Sequence, residues 1–273
     1  MKYSSDKTDQ SQLLGISRSN VYYQSRQESK DNTTKIMIEE ALRYHPSYGH
    51  KRLAIHLGIN KKRVLRVMKK YGSKPDRRRG RKPSKKTVGQ ADYPNLLIDT
   101  IPSYPNHIWA SDFTYLWFQG SWLYVATIID IFTRKIVGLS ISRHHDRWLV
   151  VTALMSALQN HEHPKIIHSD HGSEYCSKDY QSVLTEVGIT PSMAGKGCPW
   201  ENGYQESFYS QWKIDFGDPN RFNSLGEITA QVYASIYYYN NLRIHTKIHM
   251  APNALARHYD ILRKGNLNAQ SLF

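Results

Sequence analysis

Three strand-length segments follow one another between residues 108 and 142, separated by two short turns, and nothing else in the sequence constrains the fold as strongly. IWASDFTYLWF (108–118) is rich in aromatic and β-branched residues, Gln119-Gly120-Ser121 makes a turn, and WLYVATIIDIF (122–132) is a second such run. Thr133-Arg134 then leads into KIVGLSIS (135–142). This spacing predicts a three-stranded antiparallel meander. Beyond it the period changes. Leu149, Val150, Ala153, Leu154, Ala157 and Leu158 make an apolar helical stripe over 146–160, and KIIHSD (165–170) reads as a short buried strand. A helix at 177–187, a strand at 189–194 (ITPSMA) and helices at about 203–215 and 225–240 complete the pattern. The order β-β-β-α-β-α-β-α predicts an α/β fold, a mixed sheet in which parallel strands extend the meander and helices cover both faces.

The first third of the chain has a different character. SQLLGISRSNVYYQ (11–24) has the pattern of two short helices around a Gly turn, which marks 1–32 as a segment resembling a helix-turn-helix. Residues 33–72 form an all-α helix-turn-helix domain. Its first helix runs from Thr33 to Tyr44 with Ile36, Ile38, Ala41 and Leu42, and stops at His45-Pro46. A helix at 50–57, a turn at Gly58, an N-cap at Asn60 and a helix at 61–71 follow. Val64, Leu65 and Met68 form the inner stripe of that last helix, while Lys61, Lys62, Arg63, Arg66, Lys69 and Lys70 cover the rest. Residues 73–92 read as a basic linker, and 93–265 as the α/β domain.

Charge sharpens this division. The 273 residues carry 37 Lys and Arg against 23 Asp and Glu, a formal charge of +14. Residues 1–90 hold 23 of the basic and 7 of the acidic side chains, so the remainder of the chain is close to neutral. A polyanion-binding arm on a neutral body points to nucleic acid, and the dense one-sign charge on the last helix of the helix-turn-helix points to double-stranded DNA. Arg52 and the helix cations would face it, and Arg77, Arg78, Arg79, Arg81, Lys82, Lys85 and Lys86 of the linker would follow phosphates without reading bases. With no amphipathic basic helix, no membrane-length apolar run and no hydrophobic leader, the sequence predicts a cytoplasmic, nucleoid-associated protein without a membrane partner. Cys176 and Cys198 are not in paired spacing and are expected to be reduced thiols.

Three acids occupy unusual places. Asp112 interrupts an aromatic strand, where Asp is disfavoured. Asp170 ends a buried strand before His171-Gly172, where open α/β sheets put functional side chains. Glu206 lies on a helix whose Tyr204, Phe208 and Trp212 point to the opposite face at 100° per residue.

WASDFTYL, IIHSDHGSEY and GCPWENGYQESFYSQWK, which hold these acids, resemble the three motifs of the DDE transposases related to retroviral integrases, specifically the OrfB proteins of bacterial insertion sequences. Between Asp170 and Glu206 lie 35 residues, the spacing typical of that group. Lys213 matches its basic residue two turns down the same helical face. HPSYGHKRLA and YYNNLRIHTKIHMAP resemble the group's helix-turn-helix and C-terminal segments. Two positions depart from the pattern, His171 where Arg is usual and Glu201 where Asp is usual. Glu201 competes as third acid, but only 30 residues separate it from Asp170 and it precedes the helix.

The resemblance implies an RNase H-like core in which Asp112, Asp170 and Glu206 are catalytic and hold two divalent ions, Mg²⁺ or Mn²⁺. Asp112 would bridge the two ions, and Lys213 would contact DNA. Hard carboxylate oxygens suit these ions, and a metal pair can clamp the entering and leaving oxygens of an in-line displacement at phosphorus. The implied activity is DNA strand cleavage followed by 3′-hydroxyl strand transfer. A homo-oligomer on DNA and an upstream-frame (OrfA) partner are implied as well. Two other readings use the same residues, a non-enzymatic DNA-binding regulator with an inert core and a metal nuclease without strand transfer. His161, His163, His168 and His171 lack the spacing of a zinc site. His168 is expected to border the cleft, Asp130 to serve the second turn, and Arg243 with His245 to order the C-terminal segment or touch DNA.

Overall fold

The computed structural model describes residues 11–13, 15–17, 19, 27–77, 93–195 and 198–270. Most of the expected helix pair at 11–24, and the linker cations Arg78, Arg79, Arg81, Lys82, Lys85 and Lys86, lie outside these residues. Among the described residues no helix is long and apolar enough to cross a membrane, and neither Cys176 nor Cys198 is in a disulfide.

Helices α1 (Gln27–Tyr44), α2 (His50–Leu57) and α3 (Lys61–Tyr71) form the N-terminal unit around Ile38, Tyr48, Leu53, Val64 and Val67. Gly58 closes α2 at φ 64°, a left-handed conformation that favours glycine, and Asn60 caps α3 by accepting the Lys62 N–H at 2.8 Å. Two expectations need correction. The inner stripe of α3 is Val64, Val67 and Met68, with Leu65 36% exposed, because 64, 67 and 68 share one helical face and 65 lies about 100° away from 64. Helix α1 starts six residues before the expected Thr33, and Ile36 points outward. Its polar first turns are fixed by a tertiary contact: buried Asp31 takes both Arg66 Nη1 and Nη2 at 2.6 Å, with Lys70 Nζ at 3.3 Å.

The α/β domain holds β1 (Ile108–Phe118), β2 (Ser121–Asp130), β3 (Ile136–Ser142), α4 (Arg147–Asn160), β4 (Ile166–Ser169), α5 (Lys178–Glu186), β5 (Thr190–Met193), α6 (Gly203–Phe216) and α7 (Leu225–Asn241). The strands lie in the order β3-β2-β1-β4-β5, antiparallel through the meander and parallel for β1/β4 and β4/β5. One face packs Phe208, Tyr209, Trp212 and Phe216 of α6 and Ile228, Val232 and Ile236 of α7. The other packs α4 and α5 through Leu149, Val150, Leu154, Tyr180 and Leu184. This is the mixed, two-sided sheet that the strand and helix periods predict. A further helix, α8 (Pro252–Gln270), was not foreseen.

Helix α4 crosses β3 at close range. A Cβ on Gly138 would stand 2.5 Å from the Ala153 carbonyl and 2.9 Å from the Ala157 methyl. Gly138→Ala is therefore expected to cost about 1–3 kcal/mol by overpacking. Denaturant unfolding checks this, and an unchanged midpoint would contradict the close approach.

The N-terminal unit is stitched to the α/β domain by polar contacts. Tyr48 Oη accepts the Ile244 N–H at 2.6 Å, Arg52 donates to Thr246 Oγ1 at 3.0 Å and to Gln211 Oε1 at 3.1 Å, and His45 bonds Tyr238 Oη.

Candidate active site

Register brings the first two acids together. In the parallel β1/β4 pair Ala110 stands opposite His168, so Asp112 and Asp170 each lie two residues further on, side by side at the carboxyl end of β4. Adjacent strands run about 4.8 Å apart, and residues two apart on a strand share a face. Asp112 is half-buried and accepts its neighbour's N–H, from Phe113 at 2.8 Å. Asp170 accepts the Gly172 N–H at 3.2 Å in the turn after β4.

The third acid comes from α6, which is fastened to β1 and β2 by three buried polar side chains. Gln205, fully buried, donates to the Ala110 carbonyl at 2.6 Å and the Thr127 carbonyl at 2.9 Å and accepts from Thr127 Oγ1 at 3.1 Å. Tyr209 Oη donates to the Asp112 carbonyl at 2.7 Å, and Asn202 donates to the Ser111 carbonyl at 3.2 Å. These bonds fall on the residues around Asp112 and set the first turn of α6, with exposed Glu206, over the strand that carries it.

Electrostatics shows the same proximity. Burial first, then the charges of Asp170 and Glu206, push the Asp112 carboxyl up to about 8. Burial, with a further contribution from Glu174, raises Asp170 as well. Like charges gathered in a poorly solvated place resist ionisation, and a bound cation reverses that. Among the described residues, no three His, Cys, Asp or Glu side chains are arranged as a group that could hold a metal ion. The three carboxylates share one field without forming a closed ligand shell.

The other expected site residues divide into two sets. Lys213 lies two turns beyond Glu206 and donates to the Tyr115 carbonyl at 2.9 Å, on the strand that carries Asp112. Lys61, Lys62 and Lys69 are exposed on α3, and Arg77 is exposed beside α2. Arg66 and Lys70 hold Asp31, Arg63 donates to the Lys30 carbonyl at 3.0 Å, and Arg52 reaches Gln211 and Thr246, so these four have partners within the chain. Glu201 accepts the Gly195 N–H at 2.7 Å and the Asn95 amide at 2.8 Å, anchoring a loop. His168 is fully buried and bonds Ser192 Oγ at 2.9 Å. Asp130 accepts from the Phe132 and Thr133 N–H groups in the turn before β3.

Gln205, Tyr209 and Asn202 are missing from the sequence reading. Tyr204 is half-buried under the Arg134 guanidinium, and the row that packs on the sheet is Gln205, Phe208, Tyr209, Trp212 and Phe216. A glutamine in step with large aromatics was the available signal, since a buried amide has to find partners.

Known proteins resemble this chain along most of its length. The family model described as integrase core domain matches residues 102–199, and a second model of that description matches 187–252. The insertion element IS600 uncharacterized 31 kDa protein of Shigella sonnei is 32% identical over 266 residues, covering 91% of this chain and 97% of its own. The transposase InsF for insertion sequence IS3A of Escherichia coli (strain K12) is 32% identical over 232 residues, covering 81% of each chain.

The chain belongs to the DDE transposases of insertion sequences.

In this transposase the first matched stretch runs from just before β1 to the turn ahead of α6 and contains Asp112 and Asp170. The second contains α6 with Glu206 and Lys213, and all of α7. Its sheet order and two-sided helix packing are those of an RNase H-like integrase core. The HTLV-2 integrase catalytic core domain in complex with magnesium aligns with a TM-score of 0.42 and 19% identity, covering 55% of this chain and 95% of that one.

Proposed function

We propose that this transposase cleaves and joins DNA strands through Asp112, Asp170 and Glu206. The observation that supports this best is the β1/β4 register that sets Asp112 beside Asp170, with α6 fastened to the same strand. The donor set fits Mg²⁺ or Mn²⁺, because it is all carboxylate oxygen and its mutual repulsion is relieved by cations. When bound there, two such ions would supply Lewis-acid charge to the phosphate oxygens. Cleavage is an attack of water on phosphorus that forms one P–O bond and breaks another, freeing a 3′-hydroxyl at the element end and leaving the phosphate on the adjoining 5′ end. Strand transfer is the attack of that hydroxyl on a target phosphodiester, forming one P–O bond and breaking another. The chain's own part is to hold the three carboxylates in place. Exposed Lys61, Lys62, Lys69 and Arg77, the linker cations and Lys213 would neutralise phosphates of double-stranded DNA. A homo-oligomer assembled on DNA, and an upstream-frame partner, complete the proposal.

The test is a joining assay with purified chain, DNA ending in the element's terminal repeat, and Mg²⁺. Denaturing gels should show joined strands, and nicks without joined products would favour a nuclease.

Two further outcomes follow. Asp112 keeps its proton up to about pH 8 in the metal-free chain, whereas an unperturbed aspartate titrates near 3.9. Its contribution to stability is full below the unfolded value and is lost as pH rises through the folded one. Metal binding needs the ionised form, so loading Mg²⁺ at about pH 7 should release about one proton per chain. Calorimetric titrations in buffers of different ionisation heat measure this, and uptake without proton release would contradict it.

Gln205→Met keeps the volume of the side chain and removes its amide. It should cost about 1–3 kcal/mol in stability and, by letting Glu206 shift by about 1 Å, lower joining about a hundredfold with DNA affinity unchanged. Wild-type joining by this variant would show that the clamp does not position Glu206.

A further inference from the structure

A cavity of about 360 Å³ lies on the side of α6 away from the carboxylates, between the turn that leads into the helix and the segment that follows α7. Ser207, next to Glu206, lines it, about 100° around the helix from that acid. Its volume is that of a small-ligand site and cannot take a duplex. Trp200, 51% exposed, and Tyr204 supply aromatic walls, while Arg134 and Lys247 supply charge.

Arg134 is held in an unusual way. Its guanidinium lies 4.4 Å from the centroid of the Tyr204 ring, and its Nε is buried without a hydrogen-bond partner. Its backbone is left-handed, at φ 68°, a conformation uncommon for an arginine. A guanidinium that lines the cavity and already stacks on an aromatic ring is suited to a phosphate oxygen, which would meet its outer nitrogens because Nε is buried. The other arginines of the wall are engaged within the chain, Arg243 with Asp215 and Arg52 with Gln211 and Thr246. Glu201, the acid in the wall, is tied to the Gly195 N–H and the Asn95 amide. The surroundings remain positive: burial, then Arg134, Arg243 and Arg52, hold the His245 imidazole down at about 4, in its neutral form.

Resting on the reading of the cleft as a DNA-processing site, we propose that this pocket takes one unpaired nucleotide of the strand being processed, with its base against Trp200 and Tyr204 and its phosphate on Arg134 and Lys247. Aromatic walls beside cations recognise an unstacked base and its phosphate together, and a paired base cannot enter. The pocket would then hold one nucleotide of that strand across α6 from the carboxylates, so that the strand stays unpaired as it passes over the helix.

The test uses the full chain carrying Asp170→Asn in EDTA, so that binding is read without turnover. The probe is a short thymidine single strand with one 5-iodouracil, cross-linked by light and mapped by mass spectrometry. The cross-link should fall on the peptide that contains Trp200 and Tyr204. Arg134→Gln with Lys247→Gln should weaken binding of the single strand roughly tenfold or more, with the melting temperature and duplex binding unchanged. Lys247→Glu, at an exposed position, should weaken it as well and guards against a folding defect in the double variant. Cross-links confined to the N-terminal helices, or wild-type affinity in these variants, would overturn the proposal. Joining by the wild-type chain is scored separately. Its failure with the cross-link intact counts against the strand-transfer reading alone, and intact joining with no cross-link at the pocket counts against this inference alone.

Discussion

Asp170→Asn should leave the transposase folded and bound to DNA while lowering strand joining at least about a thousandfold. The substitution preserves shape. Asp170 accepts the Gly172 N–H through one carboxyl oxygen, and an asparagine carbonyl can accept the same bond. Stability should hold or rise, because burial and like charge both oppose an ionised carboxylate at this position. What is lost is a charged ligand for a divalent ion. Metal-supplied charge stabilisation is worth several kcal/mol in a transition state, and about 4 kcal/mol corresponds to a thousandfold in rate. Asp112→Asn and Glu206→Gln should behave alike. Gel-shift and joining assays on the same preparations separate binding from chemistry. If joining survives these substitutions and disappears only when residues 1–90 are deleted, the regulator reading stands and the triad is inert.

Arg243→Met should destabilise the fold by about 3–5 kcal/mol, the usual cost of removing one partner from a buried ion pair. Arg243 and Asp215 have side chains only 2% and 8% exposed, with Nε and Oδ2 2.6 Å apart. The same guanidinium donates to Ser47 Oγ at 3.0 Å and to Gln211 Oε1 at 3.3 Å, so it joins the α1–α2 turn, α6 and the segment after α7. Asp215 Oδ1 already lacks a partner, and truncating the arginine would leave the whole carboxylate buried and alone. Adding Asp215→Leu should recover much of the loss, because removing both charges also removes the desolvation cost. Urea unfolding of the two variants measures this. A loss below about 1 kcal/mol for Arg243→Met would mean that water reaches Asp215 and that the N-terminal unit is not held through this residue.

How far the sequence could be read depended on whether a feature was local. The meander was legible because aromatic and β-branched runs between tight turns leave few alternatives, and the α2–α3 turn because Gly58 and Asn60 carry the backbone requirements themselves. The placement of Asp112 beside Asp170 follows from two strand positions once the strands are paired in parallel. Features that depend on distant partners were not legible. The first turns of α1 are a polar stretch whose helical state rests on Asp31 meeting Arg66 and Lys70 across the unit. Four cations that the charge pattern assigns to DNA, Arg52, Arg63, Arg66 and Lys70, have partners within the fold. Charge density along a sequence does not reveal which side chains have an internal acceptor. Gln205 escaped notice for the same reason, since its partners are backbone carbonyls of two strands, 95 and 78 residues earlier.

The central claim is that Asp112, Asp170 and Glu206 together hold the ions that act on DNA. Anomalous diffraction from crystals of the full chain grown with Mn²⁺ tests it most directly. Manganese peaks within ligand distance of all three carboxylates, lost in Asp170→Asn crystals, are the expected result. Peaks elsewhere, or none beside the three acids in a preparation that still joins DNA, would contradict it.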